Sequence, residues 1–201
     1  MMDKYNKKGF TIIELVVVMA IFLFIIGVAI GIFISIIKNQ KRILAEQQAL
    51  NQVSYAMEHM SKALRMAKTA PDDTCLDKKG YIYQLTRWDN QIATYNGIKF
   101  INQSNEDVCQ EFYLEGGILK EQKNGQDSLN LTSFNLKINH IKFIINPQKS
   151  DEQEVAIAST SESSEPQPRL IILLSISIPG ESEEKIIQTT ISRRNLNVVQ
   201  E

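Results

Sequence analysis

The sequence predicts an α+β protein: one long N-terminal helix, apolar in its first half and amphipathic in its second, packed on a small antiparallel β-sheet domain. Three observations carry this. Residues 10–37 form an apolar run of 28 residues in which Glu14 is the only charged member. Apolar side chains then recur seven apart at Ile43, Leu50, Met57 and Leu64, with a second row at Val53, Met60 and Ala67. Beyond Pro71, short strand-like runs are separated by turn residues.

The elements follow in order. Residues 1–9 are a short basic leader with Lys4, Lys7 and Lys8, closed by Gly9. The run 10–37 is longer than the roughly 7–15 apolar residues of a secretory signal and exceeds the about 20 needed to span a bilayer core. A carboxylate at the membrane centre costs roughly 2.5–3.5 kcal/mol. Glu14 is therefore expected to have a partner. Gly27 and Gly31 make a G-x-x-x-G pair, a spacing that lets helices approach closely, although Gly is also common in membrane helices.

Residues 38–70 continue the helix. No Pro or Gly interrupts residues 32–70, and Ala45, Ala49, Ala56 and Ala63 are good helix formers. The stripe, of period near 3.5, suits either a coiled coil or a sheet beneath it, and the strands that follow favour the sheet. Pro71, Asp72 and Asp73 end the element. A helix from Phe10 to about Thr69 would be roughly 90 Å long at 1.5 Å per residue.

Residues 71–201 form the β-rich domain. Strands are expected at 80–85, 91–95, 111–115, 118–121, 134–138, 140–145, 170–178 and 186–191. Gly116-Gly117 signals a two-residue hairpin turn. Residues 148–168 are rich in Ser, Glu and Pro, a composition that cannot offset ordering entropy, and read as a flexible surface loop between two paired strands. The tail from Arg193 is polar and reads as loose.

Charge and composition exclude several classes. The net charge of -1 offers no basic patch for nucleic acid. His59 and His140 are the only histidines, and neither has ligand spacing with Cys75 or Cys109. His59 lies off the apolar stripe and reads as a solvated helix residue; His140 sits between strand-like runs. No phosphate loop or nucleophile elbow is present. Asp72, Asp73 and Asp77 fit no standard calcium loop and read as a solvated acidic turn. No catalytic residue, metal or cofactor is expected, and a membrane-anchored enzyme is disfavoured.

The string Lys7-Lys8-Gly9-Phe10-Thr11-Ile12-Ile13-Glu14-Leu15-Val16 resembles the processing site of the type IV prepilin and pseudopilin superfamily. The resemblance implies a pilin-like fold, cleavage after Gly9 by a prepilin peptidase, and N-methylation of Phe10. It places Glu14 at the acidic fifth position of the mature chain, where it would pair with the Phe10 amine of a neighbouring subunit. Lys38, Lys41 and Arg42 nearly balance the leader lysines, so charge alone leaves orientation tied. The resemblance implies a cytoplasmic leader, a single pass through the bacterial inner membrane and an exported C-terminal domain. Removing the leader takes three Lys and one Asp from 22 basic and 23 acidic residues, leaving the mature chain near -3.

Gly31 stands where many pilus-forming relatives have a proline. Segments 47–68, 131–146 and 188–195, with the hairpin at Gly116-Gly117, resemble the larger minor pseudopilins, the J type of type II secretion, which are thought to sit at a fibre tip. Implied partners are the peptidase, other pilins or pseudopilins, membrane lipid, an inner-membrane assembly platform and its cytoplasmic ATPase. Secretion, retractable pilus and DNA-uptake machines all remain open. In an exported domain Cys75 and Cys109 could form one disulfide, and bridged and free states both fit the sequence. The alternative reading is a single-span anchored binding protein or adhesin that never polymerises.

Overall fold

A computed structural model describes residues 9–146, 155–157, 169–178 and 183–192. One helix, α1 (Ile12–Arg65), precedes ten described strands. These are β1 (Ala67–Lys68), β2 (Tyr81–Asp89), β3 (Thr94–Asn102), β4 (Val108–Glu115), β5 (Ile118–Lys123), β6 (Leu129–Asn130), β7 (Lys137–Asn146), β8 (Val155–Ile157), β9 (Arg169–Ser177) and β10 (Glu184–Ser192). The chain divides into two units, residues 1–44 and 45–201.

In the first unit α1 is apolar from Ile12 to Ile37, with Glu14 the only charged residue of that run, and its most apolar 18-residue window has no buried residue. Among the described residues this is the one helix long and apolar enough to cross a membrane.

In the second unit α1 buries Ala49, Val53, Ala56, Met57, Met60, Ala63 and Leu64. The buried stripe starts at Ala49, not at Ile43, which is exposed in the first unit. The helix also ends at Arg65, short of the expected Thr69, because tertiary bonds take over its backbone. Met66 N donates to Ala63 O at 3.0 Å, Gln103 N donates to Met66 O at 3.0 Å, and Ala67 and Lys68 pair with Asn102 and Ile101. The buried Tyr83 hydroxyl donates to the Leu64 carbonyl at 2.6 Å, satisfying one of the orphan acceptors of the last turn.

Two antiparallel sheets complete this unit. The larger has the order β6-β5-β4-β3-β2-β8, with β1 also paired to β3; the smaller is β10-β9-β7. Leu170, Ile172, Leu174 and Ile176 alternate along β9, the central strand of the smaller sheet, and all four are buried. They share one apolar cluster with Ile82, Ile98, Phe100, Phe112 and Leu119 of the larger sheet and with the α1 stripe. Each fully buried side chain of this size stabilises by about 1.5–3 kcal/mol.

The hairpin expected at Gly116-Gly117 forms, with φ of 61° and 78°, the left-handed pair that such a turn requires. Three expectations shift. Gln91 belongs to a turn, because its amide donates to the Asp89 carboxylate at 2.8 Å, and β3 begins only at Thr94. Phe134 lies in an exposed turn, and the two strands expected at 134–138 and 140–145 are one strand, β7, with an irregularity between Ile138 and His140. Within 148–168, Val155–Ile157 is strand β8, paired with Tyr81–Gln84 of β2 and not part of a loop. The rest of 148–168 lies outside the described residues, as do residues 1–8 of the leader and the tail from Arg193.

Candidate functional site

The N-terminal segment begins with Gly9 and Phe10, both exposed, ahead of the first helical turn. Thr11 caps that turn. Its side-chain oxygen accepts from Glu14 N at 3.4 Å and its carbonyl accepts from Leu15 N at 3.2 Å. Thr11-x-x-Glu14 has the spacing of a capping box. An anion in the first turn is also favoured by the positive end of the helix dipole. Glu14 thus stands in the capped first turn of its own chain, a placement missed in the sequence although the T-x-x-E pattern signals it. Gly27 and Gly31 lie four apart on one face, and a Cβ added at either meets nothing within 4 Å. No contact among the described residues accounts for the two glycines.

The Cys75 and Cys109 sulfurs are joined at 2.07 Å, with Cα atoms 5.6 Å apart and 34 residues of separation. The bond links the segment after β1 to β4 within a second apolar cluster of Ala70, Leu76, Tyr81 and Ile101. Asp72 lies beside this segment and accepts from the Thr74 hydroxyl at 2.6 Å and the Thr74 amide at 3.1 Å. Those two donors hold its carboxyl below the ordinary value. Asp77 pairs with the Gln84 side chain. Among the described residues, no three His, Cys, Asp or Glu side chains converge as metal ligands.

His59 is not the solvated residue expected. Its Nε2 lies 3.2 Å from Glu121 Oε2, and its ring lies edge-on to Phe112, with centroids 5.9 Å apart. Glu121 is buried and is also bonded by the Gln110 amide and by Lys123, 3.2 Å away. Gln110 Oε1 accepts from Asn102 at 2.8 Å. These polar residues occupy inward positions of β3, β4 and β5, where alternation would place apolar ones. The signal was the parity of Leu119, Glu121 and Lys123 in β5 and of Gln110 and Phe112 in β4. A buried carboxylate is tolerated here because each oxygen has a donor. The network ties α1 to the sheet. His140 is half-buried in β7, opposite Ser175 of β9.

Residues 4–30 match the family model described as the prokaryotic N-terminal methylation motif. No curated protein and no solved structure matches the chain. The motif supports the type IV prepilin and pseudopilin superfamily, whose members are structural rather than catalytic. With it come processing by a prepilin peptidase and pilin partners in general. The apolar helix and the motif together fit a membrane-anchored, single-pass protein.

Proposed function

We propose that the chain is a minor pilin or pseudopilin, a structural subunit cut after Gly9, methylated at Phe10 and assembled into a pilus-like or type II secretion fibre through its N-terminal helix. The observation that carries this is the position of Glu14. It stands in the first turn of an apolar helix that its own unit leaves uncovered, four residues from the new amine of Phe10. In an apolar bundle a lone carboxylate is costly. Pairing with the amine of a neighbouring Phe10 offsets that cost and favours one axial offset between subunits. Gly27 and Gly31 would permit close helix approach in the same bundle. A platform membrane protein and a cytoplasmic ATPase complete the machine. The size of the exported domain and its likeness to J-type subunits support a place at or near the tip.

The test is Glu14→Leu. It makes the span more apolar, so insertion and leader removal should persist. Recovery of the processed chain with sheared fibres or partner pilins should fall several-fold. A subunit at the very tip has no subunit above it and uses only half of the pairing, so the loss there is smaller. Equal recovery of variant and wild type would remove the pairing mechanism.

A further inference from the structure

A cleft of about 890 Å³ opens at the C-terminal end of α1, bounded by the helix, the inner face of the larger sheet and strand β10. That volume lies within the roughly 300–1,000 Å³ of small-ligand sites. Its floor is the buried set Asn102, Gln110 and Glu121. The side-chain acceptors of this floor already hold donors: Glu121 from His59, Gln110 and Lys123, Gln110 from Asn102, and Asn102 from the Ser104 amide at 3.0 Å and hydroxyl at 2.7 Å. What the walls still offer are donors, namely the hydroxyls of Thr190 and Ser192 and the cations Lys62 and Arg65.

Charge decides the ligand class. Lys62, Arg65 and Lys123 outnumber the single lining carboxylate of Glu121. Lys62 is shared with Glu58 at 2.7 Å and Lys123 with Glu121 at 3.2 Å. Arg65 has no counter-ion among the described residues. Its planar fork of donors matches the two oxygens of a carboxylate. The negative end of the helix dipole and Glu121 both lie close by, so the surplus positive charge suits a monoanionic group better than a doubly charged phosphate.

We propose that this cleft binds a carboxylate-bearing ligand, with Arg65 as the fork and Lys62 and the Ser192 hydroxyl as supporting donors. The carboxylate can come from a free small monocarboxylic acid or from an acidic side chain of a peptide, and the inference is independent of the assembly role. The experiment uses the full mature chain in detergent micelles at constant ionic strength. It is titrated by calorimetry with butyrate, with a blocked Gly-Glu-Gly peptide and with inorganic phosphate. Saturable one-to-one binding of butyrate or the peptide is expected. Arg65→Gln should weaken it at least tenfold with the thermal melt lowered by at most a few degrees, since Arg65 is exposed in the last turn of α1. Lys142→Gln, exposed on β7, should leave affinity unchanged. Tighter butyrate binding assigns the site to free acids; tighter peptide binding assigns it to an acidic side chain. Unsaturable heats, phosphate binding as tightly as both carboxylates, or full affinity in Arg65→Gln would each overturn the proposal.

Discussion

Replacing both Cys75 and Cys109 by Ser removes a bond that spans 34 residues of chain. In the chain-entropy model a loop of that length costs the unfolded state about 12.6 cal/mol/K, or about 3.8 kcal/mol at 25 °C. The bond sits in its own small apolar cluster, so the serines would add a modest desolvation cost of about 1 kcal/mol. For a unit of this size each kcal/mol moves the melting temperature by about 2–4 °C. The bond alone therefore predicts a drop of about 8–15 °C. The assay is thermal unfolding by circular dichroism of oxidised wild type, reduced wild type and the double variant. The reduced protein and the variant should both fall, the variant about 2–4 °C further because of its serines. A drop below about 2 °C in both would refute the assigned contribution of the bond.

Two further outcomes follow from the packing and the charges. A Cβ at Gly97 would lie 2.4 Å from the Thr86 hydroxyl and 3.2 Å from Tyr113 Cβ. The Thr86 hydroxyl donates to Glu111 at 2.7 Å and cannot move without losing that bond. Gly97→Ala should therefore cost about 1–3 kcal/mol in a urea melt; an unchanged midpoint would show that the strands part freely. Glu58, Asp72, Asp89 and Glu115 are held below their ordinary pKa values by Lys62, by Thr74, by the Gln91 amide and by Lys120 respectively. A carboxyl lowered on folding stabilises above its unfolded pKa, and that contribution is lost as pH falls through the lowered value. The melting temperature should decline below about pH 4.5, less steeply in high salt because the Glu58–Lys62 and Glu115–Lys120 pairs are screened. A melting temperature flat between pH 5 and 2 would contradict this.

The helix was legible because its signals are local. The apolar run, the Ala-rich stripe and the absence of Pro all act within a few turns, and Val53, Met57, Met60 and Leu64 are buried as the stripe implies. Its end was misplaced by four residues because Ala67 and Lys68 answer to strand partners at Ile101 and Asn102, more than thirty positions away. The Gly116-Gly117 hairpin was legible for the same local reason, since few residues other than Gly adopt both dihedrals. Strand β8 was not, because Val155-Ala156-Ile157 is short and set within a polar stretch of sequence, and only pairing to β2 defines it. At the N-terminus the string that matches the methylation motif was readable, while the capping role of Thr11 was overlooked. The His59–Glu121 pair joins positions 62 apart and leaves no periodic trace. A Glu at an inward strand position was its sole mark.

The central claim is that this chain is a processed subunit whose mature N-terminus is the first element of assembly. Mass spectrometry of the protein isolated from its native envelope tests it most directly. The account predicts an N-terminal peptide that begins at Phe10 and carries one methyl group on its amine. The Gly9→Val variant should keep the leader. A wild-type chain that begins at Met1 would contradict the account and favour a plain membrane anchor.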